Sequence, residues 1–158
     1  MKASRNRRLF CAKTFGYCEK CSYIYNMVES EVKKIIDEVY PKIEEYYGLS
    51  NYHNCTPFIE LHHNIYIRLT GDDNYTEIVS EVECNPDGEF DRYDNEIIIY
   101  YPRMETKRHI IETLIHEYQH YLQSPSWMVR YYSMGYDYDN HPYEVAATKA
   151  ESNWKMFA

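Results

Sequence analysis

Two histidines and a glutamate stand in the run His116-Glu117-Tyr118-Gln119-His120. On an α-helix, positions four apart lie only about 40° apart around the axis and one turn along it, so both imidazoles can reach one ion. Glu117 projects beside them, placed to take a proton from water that the ion activates rather than to bind the ion itself. A hydrolytic metal of the zinc kind needs a third protein ligand and keeps its fourth position for water. A further histidine six residues past His120 would supply it, but that position is Ser126. Glu144, in Asn140-His141-Pro142-Tyr143-Glu144-Val145, is the leading candidate for the third ligand. Glu151, seven residues on along the same face, is the first substitute, followed by His141 and then Asp137 or Asp139.

Such a site needs a helix that is apolar along one flank and ionisable along the next. Residues from about Glu105 to Gln123 satisfy this: Ile110, Ile111, Leu114, Ile115, Tyr118, Tyr121 and Leu122 share one arc, and His109, Thr113, His116, Glu117 and His120 the other. Ser124-Pro125 stops that helix, a Tyr-rich loop spans Ser126 to Asn140, and Pro142 opens a last helix through about Lys155. Upstream, Val28, Val32, Ile35, Ile36, Val39 and Ile43 recur at helical spacing, with a kink or restart expected at Pro41 and a C-cap at Gly48. Between Pro57 and Tyr101 the period drops to two. Phe58 to Leu61, Ile65 to Leu69, Glu77 to Glu83 and Glu96 to Tyr101 read as strands, with a turn at Gly71 to Asn74 and a polar loop from Asn85 to Asn95. Short connections between them predict a mostly antiparallel sheet. The order is helix, sheet, helix, loop, helix, in one domain over residues 26–158 behind an irregular arm over 1–25.

The histidine pair on one helix, completed by a glutamate from a following helix, resembles the gluzincin metallopeptidases, over about residues 95–155. The resemblance implies an α+β, zincin-like single domain with an active-site helix and a C-terminal helix. It implies Zn2+ held by His116, His120 and Glu144, Glu117 as general base, and hydrolysis of a peptide or protein substrate. In such enzymes the edge strand before the active helix, here Glu96 to Tyr101, pairs with extended substrate. Many gluzincins carry an Asp four residues past the ligand Glu, which steadies the first zinc histidine. Here that position is Thr148, so support must come from Glu151 or a backbone carbonyl. An oxyanion donor is sought among Tyr131, Tyr132, Tyr136, Tyr138, Tyr143 and His141; His141 and Tyr143 are closest to Glu144 in sequence. The alternative reading is a latent or inactive zinc- or peptide-binding module using the same cleft.

Composition narrows the classes. A net charge of −8, with Lys2, Arg5, Arg7, Arg8, Lys13 and Lys20 gathered at the N-terminus, leaves an acidic body unsuited to nucleic acid. No apolar run is long enough to span a membrane. The N-terminus lacks the apolar core of an export signal, and five cysteines are an odd count, so a cytoplasmic, reducing setting is expected. Cys18-Glu19-Lys20-Cys21 has no second half of a zinc knuckle and reads as reduced thiols. His62-His63 lies at a strand and points two ways, and the carboxylates Asp87, Glu89, Asp91, Asp94 and Glu96 read as a solvated hairpin loop. Nineteen tyrosines are well above ordinary usage.

Overall fold

The computed structural model describes residues 27–63 and 86–158. The N-terminal arm with Cys11, Cys18 and Cys21, the strands expected at 65–69 and 77–83, the turn between them and Cys84 lie outside the described residues. Helix α1 (Glu29–Tyr47) is followed by strand β1 (Phe58–His62), then a hairpin of β2 (Gly88–Asp91) and β3 (Glu96–Tyr100). Three helices complete the chain: α2 (Lys107–Leu122), α3 (Pro125–Ser133) and α4 (Pro142–Ala150), the last running into a 3-10 turn, Glu151–Met156. The fold is α+β. Among the described residues, no helix is long and apolar enough to cross a membrane.

Where a mostly antiparallel sheet is expected, the described strands form a mixed one. Its described strands lie in the order β1-β3-β2, with β1 parallel and β2 antiparallel to β3. Strand β3 is therefore central, which explains its unbroken Ile97-Ile98-Ile99-Tyr100 run, buried on both faces. Ile97 and Ile99 join the main core with α1 and α2, while Ile98 and Tyr100 form a separate buried pair. A central strand has no free edge, so Glu96 to Tyr101 is not the strand that could pair with an extended ligand. The strand beside α2 is β2, inside the segment read as polar loop. Its one large apolar residue, Phe90, gives no alternation to detect.

Two further expectations change. Helix α1 runs through Pro41 as one element, because Val32, Ile36, Val39, Tyr40 and Ile43 bury a single face on both sides of the proline. That burial outweighs the lost main-chain hydrogen bond. The Tyr-rich loop is largely helix α3: Ser124 is its N-cap, accepting from Trp127 N, and Pro125 is its first residue.

Several tyrosines have a structural task. The irregular stretch between α1 and β1 is hydrogen-bonded by buried phenols from behind. Tyr40 Oη donates to Pro57 O (2.7 Å), Tyr118 Oη to Gly48 O (2.7 Å) and Tyr121 Oη to Cys55 O (3.1 Å), while Ser50 N donates to Tyr121 Oη (2.9 Å). Each ring fills core and each hydroxyl satisfies a main-chain group that no strand or helix pairs. Tyr121→Phe should leave Ser50 N–H and Cys55 O without that partner and cost about 1–3 kcal/mol, measured by urea unfolding.

Candidate metal centre

Helix α2 begins at an N-cap, Thr106, whose side chain accepts from His109 N. It buries Ile110, Ile111, Leu114, Ile115, Tyr118 and Tyr121 completely. The opposite flank therefore faces a cleft of about 800 Å³, floored by His116, Glu117 and His120 and walled by β2 on one side and α3 on the other. Helix α4 delivers Glu144 to the same place from its first turn.

The three groups converge. His116 Nε2 and His120 Nε2 are 3.1 Å apart, and each lies 3.4 Å from a different oxygen of Glu144. One ligand atom from each of the three falls within 4.8 Å of the others, so His116, His120 and Glu144 can hold a metal ion. The outer nitrogen of each ring is anchored: His116 Nδ1 donates to Glu151 Oε1 (2.8 Å) and His120 Nδ1 to Gln123 Oε1 (2.8 Å). Gln123 is itself fixed, its Nε2 donating to Tyr143 O (3.0 Å). These contacts aim both Nε2 atoms at one point, the role outer partners play for metal-binding histidines. Glu151 thus orients His116 from the far side and fills the place that Thr148 cannot.

The other candidates sit elsewhere. His141 is the N-cap of α4 and fully buried; its Nδ1 accepts from Tyr143 N (3.1 Å) and its Nε2 lies 3.3 Å from Met128 O. Tyr143 Oη accepts from Ser124 N (3.3 Å). Both groups join α3 to α4, and neither lines the cleft; of the tyrosines considered, Tyr138 does. His109, on the same flank of α2, pairs through Nε2 with Asp87 (3.1 Å), which also binds Arg103 (2.6 Å). Among the candidate carboxylates of the loop, Asp137 exchanges hydrogen bonds with Asn140.

Electrostatics separate the two glutamates. Burial pushes Glu144 upward, but hydrogen bonds and charge from His116 and His120 overcome it and hold the carboxyl well below the usual range. Glu117 is 7% exposed, and burial pushes its carboxyl above the ordinary value against the pull of the same imidazoles. One carboxylate is thus kept as an anion and the other made more basic, the division a ligand and a proton acceptor require. Burial opposes charge on His116, yet Glu144 and Glu151 outweigh it and raise its pKa to about 10. His120 is raised as well, with Glu144 countering burial. Above the cleft, burial and then the charges of Glu144 and Glu117 raise the Tyr138 hydroxyl, which keeps it a donor.

Close approach by β2 completes the site. A Cβ on Gly88 would lie 2.9 Å from Thr113 Cγ2, 3.0 Å from Ile98 O and 3.3 Å from Glu117 Cγ. Only glycine lets the strand press onto α2 beside the basic carboxylate. Gly88→Ala should therefore cost about 1–3 kcal/mol in urea unfolding, by forcing strand and helix apart.

Proton linkage gives a second expectation. His116 has its folded pKa raised above the ordinary 6.5, so without metal it stabilises the fold fully below about pH 6.5, and this is lost as pH rises through about 10. Glu144, lowered from 4.5, contributes above that pH and loses its contribution as pH falls below it. A metal ion must displace the His116 proton, so titration with a divalent ion at pH 7 should release protons, and affinity should climb from pH 6.5 toward 10. Calorimetry in buffers of different ionisation enthalpy measures the release; Glu151→Gln should weaken metal binding roughly 10–100-fold. Compared with known proteins, the chain matches no family model, no curated protein and no solved structure, so the chemistry of this site is what any functional reading must start from.

Proposed function

We propose that this chain is a zinc-dependent peptidase of zincin-like architecture. The observation that carries the reading is the meeting of His116 Nε2, His120 Nε2 and Glu144 at one point, with the buried carboxylate of Glu117 next to them on the cleft floor. Two imidazoles and one carboxylate are a hydrolytic zinc donor set. Zinc, when bound, supplies Lewis acidity that makes water a nucleophile near neutral pH and polarises a carbonyl.

The chain's own residues do the rest. Glu117, held more basic by burial, takes a proton from the attacking water and can return it to the leaving amine. Tyr138, protonated and lining the same cleft, donates a hydrogen bond as charge develops on the carbonyl oxygen. Glu151 and Gln123 keep the two imidazoles aimed while this happens. Strand β2, rather than β3, forms the wall along which an extended peptide would lie. The odd cysteine count supports a reducing, cytoplasmic setting for this chemistry.

Glu117→Gln should retain one equivalent of zinc by metal analysis and lose hydrolysis of an unstructured protein such as casein by a factor on the order of 10²–10⁴. Glu144→Ala should lose the zinc itself. Zinc retained together with wild-type hydrolysis in Glu117→Gln would sink the assignment of the base. Binding of peptide with no hydrolysis in the wild type would favour a binding module instead.

A further inference from the structure

Arg92 lies in the turn between β2 and β3 and lines the same cleft as the metal triad. It is the one Lys or Arg among the described residues on that cleft. Its guanidinium is held in place: Nη2 donates to the main-chain oxygen of His120 (2.9 Å), and the group stacks over Phe90 at 5.4 Å from the ring centre. The cation is thereby tied directly to a metal-ligand residue.

Among the described residues it has no counter-ion. Of the described Lys and Arg side chains, only Arg92 and Lys107 are partly buried, and Lys107 pairs with Glu38 at 3.0 Å. Arg103 and Arg108, more exposed, also have carboxylates, Asp87 and Glu112. No described carboxylate lies within ion-pair reach of Arg92, and its Nη1 is enclosed with no hydrogen-bond partner. A half-buried guanidinium without an anion is costly to maintain. Capping the His120 carbonyl, in the last turn of α2, suits a cation, but it engages one N–H of the guanidinium and supplies no full negative charge.

We propose that Arg92 is a specificity-determining residue that receives a carboxylate of the substrate, placed close along the peptide to the bond at the metal triad. The inference rests on the peptidase reading above for its geometry. A guanidinium binds a carboxylate through two parallel N–H···O contacts; Nη1 is enclosed by protein, so a substrate carboxylate would meet the Nε–Nη2 edge of the group. The chemistry is shared by an acidic side chain near the cut and by a free C-terminus just beyond it. In a chain of net charge −8, whose cleft also carries Glu89, Asp91, Glu117 and Glu144, a fixed cation is what would let an anionic peptide settle there.

The test uses zinc-loaded Glu117→Gln protein, so that peptide binds without being cut, and three fluorescein-labelled hexapeptides of one sequence. The first is neutral and amidated, the second replaces one Gln by Glu, and the third is neutral with a free C-terminal carboxylate. One of the two carboxylate peptides is expected to bind roughly ten- to hundredfold tighter than the neutral one at pH 7, and which one identifies the source. Adding Arg92→Gln should bring that ratio to about one. Arg92→Lys, which keeps the charge, should lower it severalfold and serves if Arg92→Gln does not fold. Equal affinity for all three peptides would overturn the proposal, as would an Arg92 variant that weakens all three alike and leaves the ratio intact. Zinc uptake and casein hydrolysis in the wild type without any carboxylate preference would strike this inference alone; a carboxylate preference without zinc uptake would strike the peptidase reading and leave Arg92 its anion.

Discussion

Two imidazoles one helical turn apart can share an ion only if both rings turn the same way, and nothing within a helix forces them to. In this chain the constraint comes from outside α2. Glu151 takes His116 Nδ1, Gln123 takes His120 Nδ1, and Glu144 bridges the two Nε2 atoms. Each of these partners depends on the C-terminal third of the chain being in place. That region is tied down in turn: Phe157 packs on Tyr46 and Tyr47, Asn153 Nδ2 donates to Tyr47 Oη (3.1 Å), and Arg108 lies over Trp154. Helix α1 therefore helps to hold the candidate ligand Glu144 in place.

Local electrostatics follow from this arrangement. Three carboxylates and two imidazoles share a small volume, and burial would by itself raise every carboxyl and lower every imidazole. Pairing reverses the effect where rings and acids touch, so Glu144 becomes a firm anion and His116 a firm cation until a metal replaces its proton. Glu117 has the same neighbours at longer range, and there burial prevails. A difference in contact, not in residue type, separates the two glutamates.

What the sequence carried and what it hid divide along the same line. The helical spacing of His116 and His120, the apolar arc of α2, the proline opening of α4 and the Ile run of β3 are local patterns, and each was legible. Glu144 was legible as a candidate because it is an acidic residue at the start of the last helix. Glu151 stood out only as a substitute ligand; its contact with the outer nitrogen of His116 depends on how α4 turns into the 3-10 segment, which spacing does not encode. Arg92 and β2 were hidden because a four-residue strand with one large apolar side chain has no period. Helix α3 need not have been missed. Ser124-Pro125 stops α2, yet an N-cap residue followed by proline is equally the start of the next helix, and a run of tyrosines does not prevent one.

The two residues inside the histidine motif that do no chemistry bear on how rigid the site is. Tyr118 and Gln119 fill the spacing between Glu117 and His120, and any helix former would preserve the turn. Tyr118 does more: its ring is fully buried, it packs edge-on against Tyr40 and Tyr121, and its hydroxyl donates to Gly48 O. One residue past His120, Tyr121 repeats the device on Ser50 and Cys55. The back of this helical turn is thus hydrogen-bonded to a segment that has no regular structure of its own, while the front carries the candidate ligands. Rotation of α2 about its axis would break the phenol contacts behind as it misaligned the imidazoles in front. Part of the tyrosine excess is therefore tied to the candidate metal centre, as the bracing that holds its helix in register.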